Sequence, residues 1–449
     1  MKRVNHNLRG ALRAAALAAS LLVAGNASAI DLVQAYEAAL QNDPTYRNQF
    51  YANEVAKENR VLGRSGLLPT VSGSYSRNKN VTDREITQRT GPPTLDHPRY
   101  SSTSAVVQLR QPLFNMDAVQ RYRQGKVQSA QGAEQFKADT NEVAVRLVTA
   151  YLDALFAEDQ LALARVQRDM YLEQQMVNQR LFEKGEGTRT DMLETKARLD
   201  LAEAQLIESQ DNVLAQREVL ESVIGGDAGT LTQLAEGFRV APLATGTFED
   251  WSALALKNNS ALAAGRLAVE NARLEIGRQK AGHLPRADFV AAYSKGDNET
   301  INTFGQDITN RSLGVQVNIP IYSGGAINAQ TRQAAANYAR AQADLDIRTD
   351  KVLIDLRRAH SLVLSSARKV DALAAAVDSA KLLMTATEQS IKGGVRINLD
   401  LLTAQQTLFV SQRDLAQARY AYLVAMLNMK AITEPVDRED IRGIAAFFR

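Results

Sequence analysis

The chain has no cysteine among its 449 residues, which excludes disulfides, thiolate nucleophiles and cysteine metal sites together. Histidine is nearly as scarce: His6, His97, His283 and His360 are scattered and form no metal-binding cluster. Tryptophan occurs once, as Trp251. Beyond the first 29 residues no apolar run approaches the roughly 18 to 20 residues that a membrane-spanning helix needs. An excess of one charge is missing too. The 53 Lys and Arg face 50 Asp and Glu, for a net charge of +3, which is no electrostatic footprint for nucleic acid. Three catalytic signatures are absent: the Gly-x-Ser-x-Gly elbow, the Gly-x-x-x-x-Gly-Lys-Ser/Thr phosphate loop and the His-Glu-x-x-His pair. Nothing here predicts an enzyme, a cofactor or a resident metal.

The first 29 residues have the make-up of a secretory signal. Lys2, Arg3, Arg9 and Arg13 give a basic start, Ala14 to Val23 a short apolar run, and Ala27-Ser28-Ala29 a small-residue cleavage site. The mature chain is expected to begin near Ile30, outside the cytoplasm, with no cysteine there to carry a lipid.

From Ile30 onward the chain is one pattern written twice. Ala39-Leu40-Gln41-Asn42 returns as Ala255-Leu256-Lys257-Asn258, and Gly66-Leu67-Leu68-Pro69 as Gly282-His283-Leu284-Pro285. Val107-Gln108-Leu109 with Pro112 returns as Val315-Gln316-Val317 with Pro320, and Gly185 and Asp191 return as Gly394 and Asp400. Internal repeats fix the architecture before any single element does. The expected organisation is a signal peptide at 1-29, a first repeat at 30-225, a linker at 226-250, a second repeat at 251-430 and a C-terminal segment at 431-449. Each repeat reads as helix, strand, loop, strand, long helix, turn, return helix.

Between Asn115 and Phe182 there is no proline, and Gly125 and Gly132 are the only glycines. The rest is helix-compatible, and about 68 residues at 1.5 Å each make a rod of about 100 Å. Gly324 to Ser390 gives the same in the second repeat. In the return helices Met192, Leu199, Leu206, Val213 and Leu220 fall seven apart, as do Leu401, Leu408, Leu415, Tyr422 and Met429. Such spacing is a coiled-coil seam.

Four shorter segments alternate with period two. Val71 and Tyr75 oppose Ser72, Ser74 and Ser76; Val107 and Leu109 oppose Gln108 and Arg110; Phe289 and Tyr293 oppose Asp288 and Ser294; Leu313, Val315 and Val317 oppose Gly314 and Gln316. Runs of about 8 to 11 residues suit tilted membrane strands, joined by polar loops at 77 to 101 and 295 to 311. Four strands cannot close a barrel, and an open edge cannot sit in lipid with its N–H and C=O groups unpaired. Several chains must then share one barrel.

On these residues the chain resembles the TolC family of trimeric outer-membrane channel-tunnels. The likeness rests on Gly282-His283-Leu284-Pro285 before a strand, Asn318-Ile319-Pro320-Ile321-Tyr322-Ser323-Gly324-Gly325 between strand and long helix, the turn Gly185-Glu186-Gly187-Thr188-Arg189-Thr190-Asp191, and the second turn Gly394 to Leu402. The first turn is similar to the AprF/PrtF-like branch that serves type I secretion. The resemblance implies a mainly α fold with membrane β-barrel strands: two structural repeats per protomer, four strands per chain in a shared 12-strand trimeric barrel, and long coiled-coil periplasmic helices. It implies an outer-membrane location extending into the periplasm, contact with outer-membrane lipid, and a passive exit duct for a secreted protein such as a protease. The implied partners are two further copies, an inner-membrane ABC transporter and a periplasmic adaptor.

Carried over by position, Asp191 matches a family carboxylate that pairs with a gate arginine, here Arg396, and Asp400 matches a carboxylate ring that narrows the periplasmic entrance. Gly185, Gly187 and Gly394 belong to the tip turns. The sequence departs from the family pattern at Ile391, where a gate tyrosine stands, and at Thr403, where a second ring carboxylate stands. A plainer reading stays open: Asp191 and Asp400 favour the first turns of their helices through capping and the helix dipole, and Arg396 is a solvated cation. Tyr75 and Tyr293 suit an interfacial girdle or packing at the barrel base. Gly324-Gly325 suits the strand-to-helix bend, and Trp251 a small core beside the helices. Two other functions compete: a multidrug or small-molecule efflux duct of the same fold, and a soluble periplasmic coiled-coil adaptor.

Overall fold

A computed structural model describes residues 30–87, 89–235, 237–240, 247–299 and 305–448; the expected signal peptide lies outside the described residues. The same series of elements runs twice. The first pass is α1 (Leu32–Asn42), α2 (Pro44–Ser65), β1 (Thr70–Val81), a small β2–β3 hairpin (Arg84–Ile86, Thr94–Asp96), β4 (Arg99–Phe114), α3 (Met116–Glu183) and α4 (Arg189–Ile224). The second is α5 (Phe248–Asn258), α6 (Ser260–Lys280), β5 (Arg286–Glu299), β6 (Gly305–Asn318), α7 (Ala326–Lys392) and α8 (Asn398–Thr433), followed by a short α9 (Arg438–Ala445). The long helices α3 and α7 hold 68 and 67 residues, close to the spans their composition predicts. Even the breaks repeat: Asp43 and Asn259, each at ψ 119°, end α1 and α5 and start the next helix at once.

The chain divides into two compact units, one of residues up to 49, 138–259 and 352–449, the other of 50–137 and 260–351. The second contains the sheet, with strand order β1-β4-β5-β6 and every pairing antiparallel. Cross-strand register puts Val71, Leu109, Ala291 and Leu313 in one row, and Gly73, Val107, Tyr293 and Arg311 in another. The helix-side half of this face is therefore apolar and open, with Leu313 79% exposed and Val71 67%, while Arg77, Lys79, Lys295, Asp297 and Arg311 occupy the same face farther from the helices. The other carries Ser72, Ser74, Gln108, Ser312 and Gln316. Tyr75 and Tyr293 lie on the apolar face, and Tyr293 lies under the Arg311 guanidinium at 5.8 Å. That placement suits an interfacial ring better than packing at a base.

The strands are longer than their apolar alternation, at 12, 16, 14 and 14 residues rather than 8 to 11. Ladder bonds are made by the backbone, so Asn78, Asn80 and Ser102 extend the sheet as well as valine would. The expected loop at 77 to 101 therefore shrinks to residues 82–98, and those include the β2–β3 hairpin. The expected loop at 295 to 311 is likewise mostly strand. In the same unit, Gly125 has a packing reason. A Cβ there would come within 2.2 Å of the Asn59 carbonyl oxygen, so α2 and α3 approach closely only because the side chain is missing.

The core of the first unit gathers Leu32, Tyr36, Leu147, Tyr151, Leu155, Leu220, Leu356, Leu423 and Ile441. Trp251 packs against it, as a core role requires. Tyr151, fully buried, donates its hydroxyl to the Ile30 carbonyl at 2.9 Å and accepts the Thr232 N–H at 3.1 Å, tying the first described residue to the segment after α4. Arg146 pairs with buried Asp43, and Asn141 ties the end of α8 to the chain beyond it by donating to the carbonyls of Ala431 and Glu434 and accepting from Val436 N–H. Six of the ten heptad-seam residues, Leu199, Leu220, Leu401, Leu415, Tyr422 and Met429, are buried, while Met192, Leu206, Val213 and Leu408 are half-buried.

Candidate functional site at the helix-to-helix turns

Each long helix reverses through a short turn of the same build. At the first, the Gly185 N–H donates to the Phe182 carbonyl at 3.0 Å and the Glu186 N–H to the Leu181 carbonyl at 2.9 Å. At the second, Gly394 donates to Ile391 and Val395 to Ser390, both at 2.9 Å. Gly185 and Gly394 sit at φ +75° and +72°, a left-handed conformation that closes the helix end and favours glycine. Gly187 is needed for room instead. A Cβ there would stand 3.0 Å from the Phe182 nitrogen.

The return helices begin differently. Thr188 caps α4 by accepting the Asp191 N–H at 3.1 Å, while the Asp191 carboxylate takes the Thr188 N–H at 3.2 Å and its hydroxyl at 2.6 Å. This is a closed capping box. At the matching position of the second copy stands Ile397, which has no side-chain acceptor, so α8 starts uncapped. Asp400 is left without that partner and meets Arg396 instead, with Nη1 3.8 Å from Oδ2.

The expected pairing of Arg396 with Asp191 is thus not the one formed within the chain. Arg396 stands just before the N-cap of α8 and reaches the first helical turn at Asp400 as an exposed ion pair, while Asp191 is engaged by its own cap. Asp191 and Arg396 nevertheless line one cleft of about 640 Å³ between the two turns, together with Glu186, Glu388, Lys392 and Ile391. Capping alone describes Asp191 well and Asp400 poorly.

Along the floor of the cleft runs a partly buried polar network, centred on fully buried Thr195, that residue patterning alone did not reveal. Asn178 on α3 donates to the Thr195 hydroxyl at 2.7 Å, and Asn398 on α8 donates to the same oxygen at 3.2 Å. Gln174 donates to both asparagines, at 3.1 and 3.0 Å, and the Thr195 hydroxyl donates to the Asp191 carbonyl at 2.9 Å. Three helices are held together by four polar side chains. The signal was available: Thr195 lies three residues after Met192, at the second apolar position of the heptad, and is fully buried. A polar residue there specifies register at a cost in stability. Higher up, Gln167 and Tyr171 both donate to Gln406 of α8, at 2.9 and 3.3 Å.

Comparison with known proteins places the chain. The family profile described as outer membrane efflux protein matches residues 35–226 and again 251–433. The alkaline protease secretion protein AprF of Pseudomonas aeruginosa is 39% identical over 95% of this chain and 89% of its own length. The proteases secretion protein PrtF of Dickeya chrysanthemi is 36% identical over 95% and 93%. Among solved structures, the outer membrane protein VceC of Vibrio cholerae shares the fold, with a TM-score of 0.74, 16% identity, and coverage of 90% of this chain and 97% of that one. The chain belongs to the outer membrane efflux protein family, the TolC-like channels of the outer membrane, and is a transport protein rather than an enzyme.

Proposed function

We propose that this chain is the outer-membrane exit duct of a type I secretion system that exports a protease. What carries the reading is identity of 39% to a protease secretion protein, sustained over 95% of the chain. The sheet supports it. An apolar face in the open and a polar face behind it suit a wall between lipid and water, and the unpaired outer edges of β1 and β6 call for neighbouring copies. Three protomers close the barrel. A soluble adaptor would have no use for the exposed apolar face.

A duct supplies no energy, so the driving force comes from an inner-membrane ABC transporter, joined through a periplasmic adaptor at the helix-to-helix turns. The periplasmic gate lies at these turns and is carried by Arg396 and Asp400, with Asp191 lining the same cleft while held in its own cap. Asp400, repeated around a threefold axis, narrows the entrance with like charges whose field is concentrated in a confined passage. Arg396 tempers that ring in the closed state. Ile391 and Thr403 leave the gate fewer polar bonds than the family pattern provides.

Deleting the gene should abolish appearance of the exported protease in the medium, with the protein recovered in the outer-membrane fraction of the parent strain. Protease secretion that persists in the deletion strain, alongside new sensitivity to small toxic compounds, would favour an efflux duct instead.

A further inference from the structure

The polar face of the sheet is almost free of charge. From Thr70 to Asn80 on β1, from Ser102 to Gln108 on β4 and from Gln306 to Asn318 on β6, its side chains are hydroxyls, amides and a few small or apolar groups. Charge gathers only at the end next to the helices. Arg110, six residues before α3 begins, donates from Nε to Asp288 Oδ2 at 2.9 Å and from Nη2 to the same oxygen. Arg286, the first residue of β5, shares their side of the sheet and has no ion-pair partner among the described residues.

The pair is lopsided. The Asp288 side chain is 6% exposed and that of Arg110 is 57%. A buried carboxylate must be paired to remain charged, and Arg110 meets that need while its guanidinium stays open to the water-facing side. A clamp between the two repeats would work with either partner outermost. It would not require a second, unpaired arginine at the same level, nor an otherwise neutral wall.

We infer that Arg110, Arg286 and Asp288 form an anion-attracting collar at the helix-side mouth of the barrel, a site for small anions and for the acidic side chains of a passing chain. Each protomer contributes two cations against one largely buried carboxylate. Copies of this set around one narrow lumen reinforce each other's potential, and lumen-facing charges in barrels tune selectivity. Asp288 acts as the attenuator: it holds Arg110 in place and halves the positive charge. The collar rests on the shared-barrel reading proposed above and is separate from the gate at the helix-to-helix turns.

The test uses the full-length protein in planar bilayers under a potassium chloride gradient. Asp288→Asn should shift the chloride-to-potassium permeability ratio upward by about threefold, the effect of roughly one kT of local potential. Arg286→Gln should shift it downward by a similar factor. Because the chain has no cysteine, Gln316→Cys, directly opposite Asp288, can be labelled without background. An anionic, membrane-impermeant thiol reagent should react there faster than a cationic one of the same size, with the preference reduced by Arg286→Gln. If Asp288→Asn fails to assemble, Arg286→Gln and the labelling still decide. A conducting, labelled channel whose selectivity and labelling preference ignore these changes would overturn the collar and leave the pair as a clamp. A purified chain that does not conduct, and whose Gln316→Cys variant is not labelled by either reagent, would overturn the barrel itself.

Discussion

Thr188 and Ile397 occupy the same position in the two copies, and that one difference decides what the nearby carboxylates do. A threonine cap contributes about 1 kcal/mol and occupies Asp191; isoleucine offers nothing, so Asp400 turns to Arg396. Arg396→Ser and Asp400→Asn should therefore change the passive conductance of the purified channel in planar bilayers, with the double change adding little, since both remove one contact. Asp191→Asn should do much less. An exposed pair is worth about 0–1 kcal/mol, but three copies act on one aperture. Equal opening by Asp191→Asn and Arg396→Ser would point back to a direct Asp191–Arg396 latch between subunits. A second residue-scale expectation concerns pH. Burial alone would raise the carboxyl of Glu275, but hydrogen bonds from Arg278, Gln124 and Gln279 outweigh it and hold the group down at about 2. Its folded value lies below its ordinary 4.5, so its stabilising contribution is complete above that pH and is lost as pH falls toward 2. Thermal midpoints should decline over that window, and Glu275→Gln should flatten the decline while lowering stability at neutral pH.

At the scale of elements, the long helices were legible because helix breakers are rare and easily seen. Asn115 to Phe182 lacks proline, and the observed helix matches it to within a residue at each end. The return-helix seams were equally plain, since apolar residues seven apart must be buried together. Strand ends were not legible, because Asn78, Asn80 and Thr103 pair through the backbone while their side chains look like loop. The network of Gln174, Asn178, Thr195 and Asn398 escaped for a related reason. Amides on a coiled coil read as solvated surface until partners from three helices are seen to meet. Two predictions belong here. Asn178→Ala removes one hydrogen bond from the Thr195 hydroxyl and one from the Gln174 amide, each of which keeps Asn398, at a cost of about 0.5–1.5 kcal/mol per bond. Hydrogen exchange should speed up in the first turns of α4 and α8 and little elsewhere. Unchanged protection there would mean the network is incidental. Shortening residues 82–98, in contrast, should leave assembly and export intact, because the ladder from Thr70–Val81 to Arg99–Phe114 closes without them. Loss of assembly after that deletion would assign the β2–β3 hairpin to the structural core.

For the molecule as a whole, the sheet is the part that a single chain cannot complete. Its inner pairings are satisfied through β4 and β5, but β1 and β6 each present one row of unpaired backbone groups, and an apolar face lies open beside them. In water this is an aggregation surface; in lipid it is tolerable only after closure. Exposed Leu193, Leu201, Ile207 and Leu214 along α4 add an apolar stripe with no cover from the same chain. Both features are met if β1 of one copy pairs with β6 of the next around a closed ring, where three chains of four strands give a barrel wide enough to hold water. The detergent-extracted protein should therefore have the mass of a homotrimer. The absence of native cysteine allows a direct check of the seam: single cysteines introduced along β1 and β6 should cross-link between chains only in combinations whose side chains share a face. Dimers and trimers should then form a ladder on a denaturing gel. A stable, lipid-free monomer, or cross-links indifferent to facing, would mean that the edges are covered by something other than another copy, and the shared barrel would have to be given up.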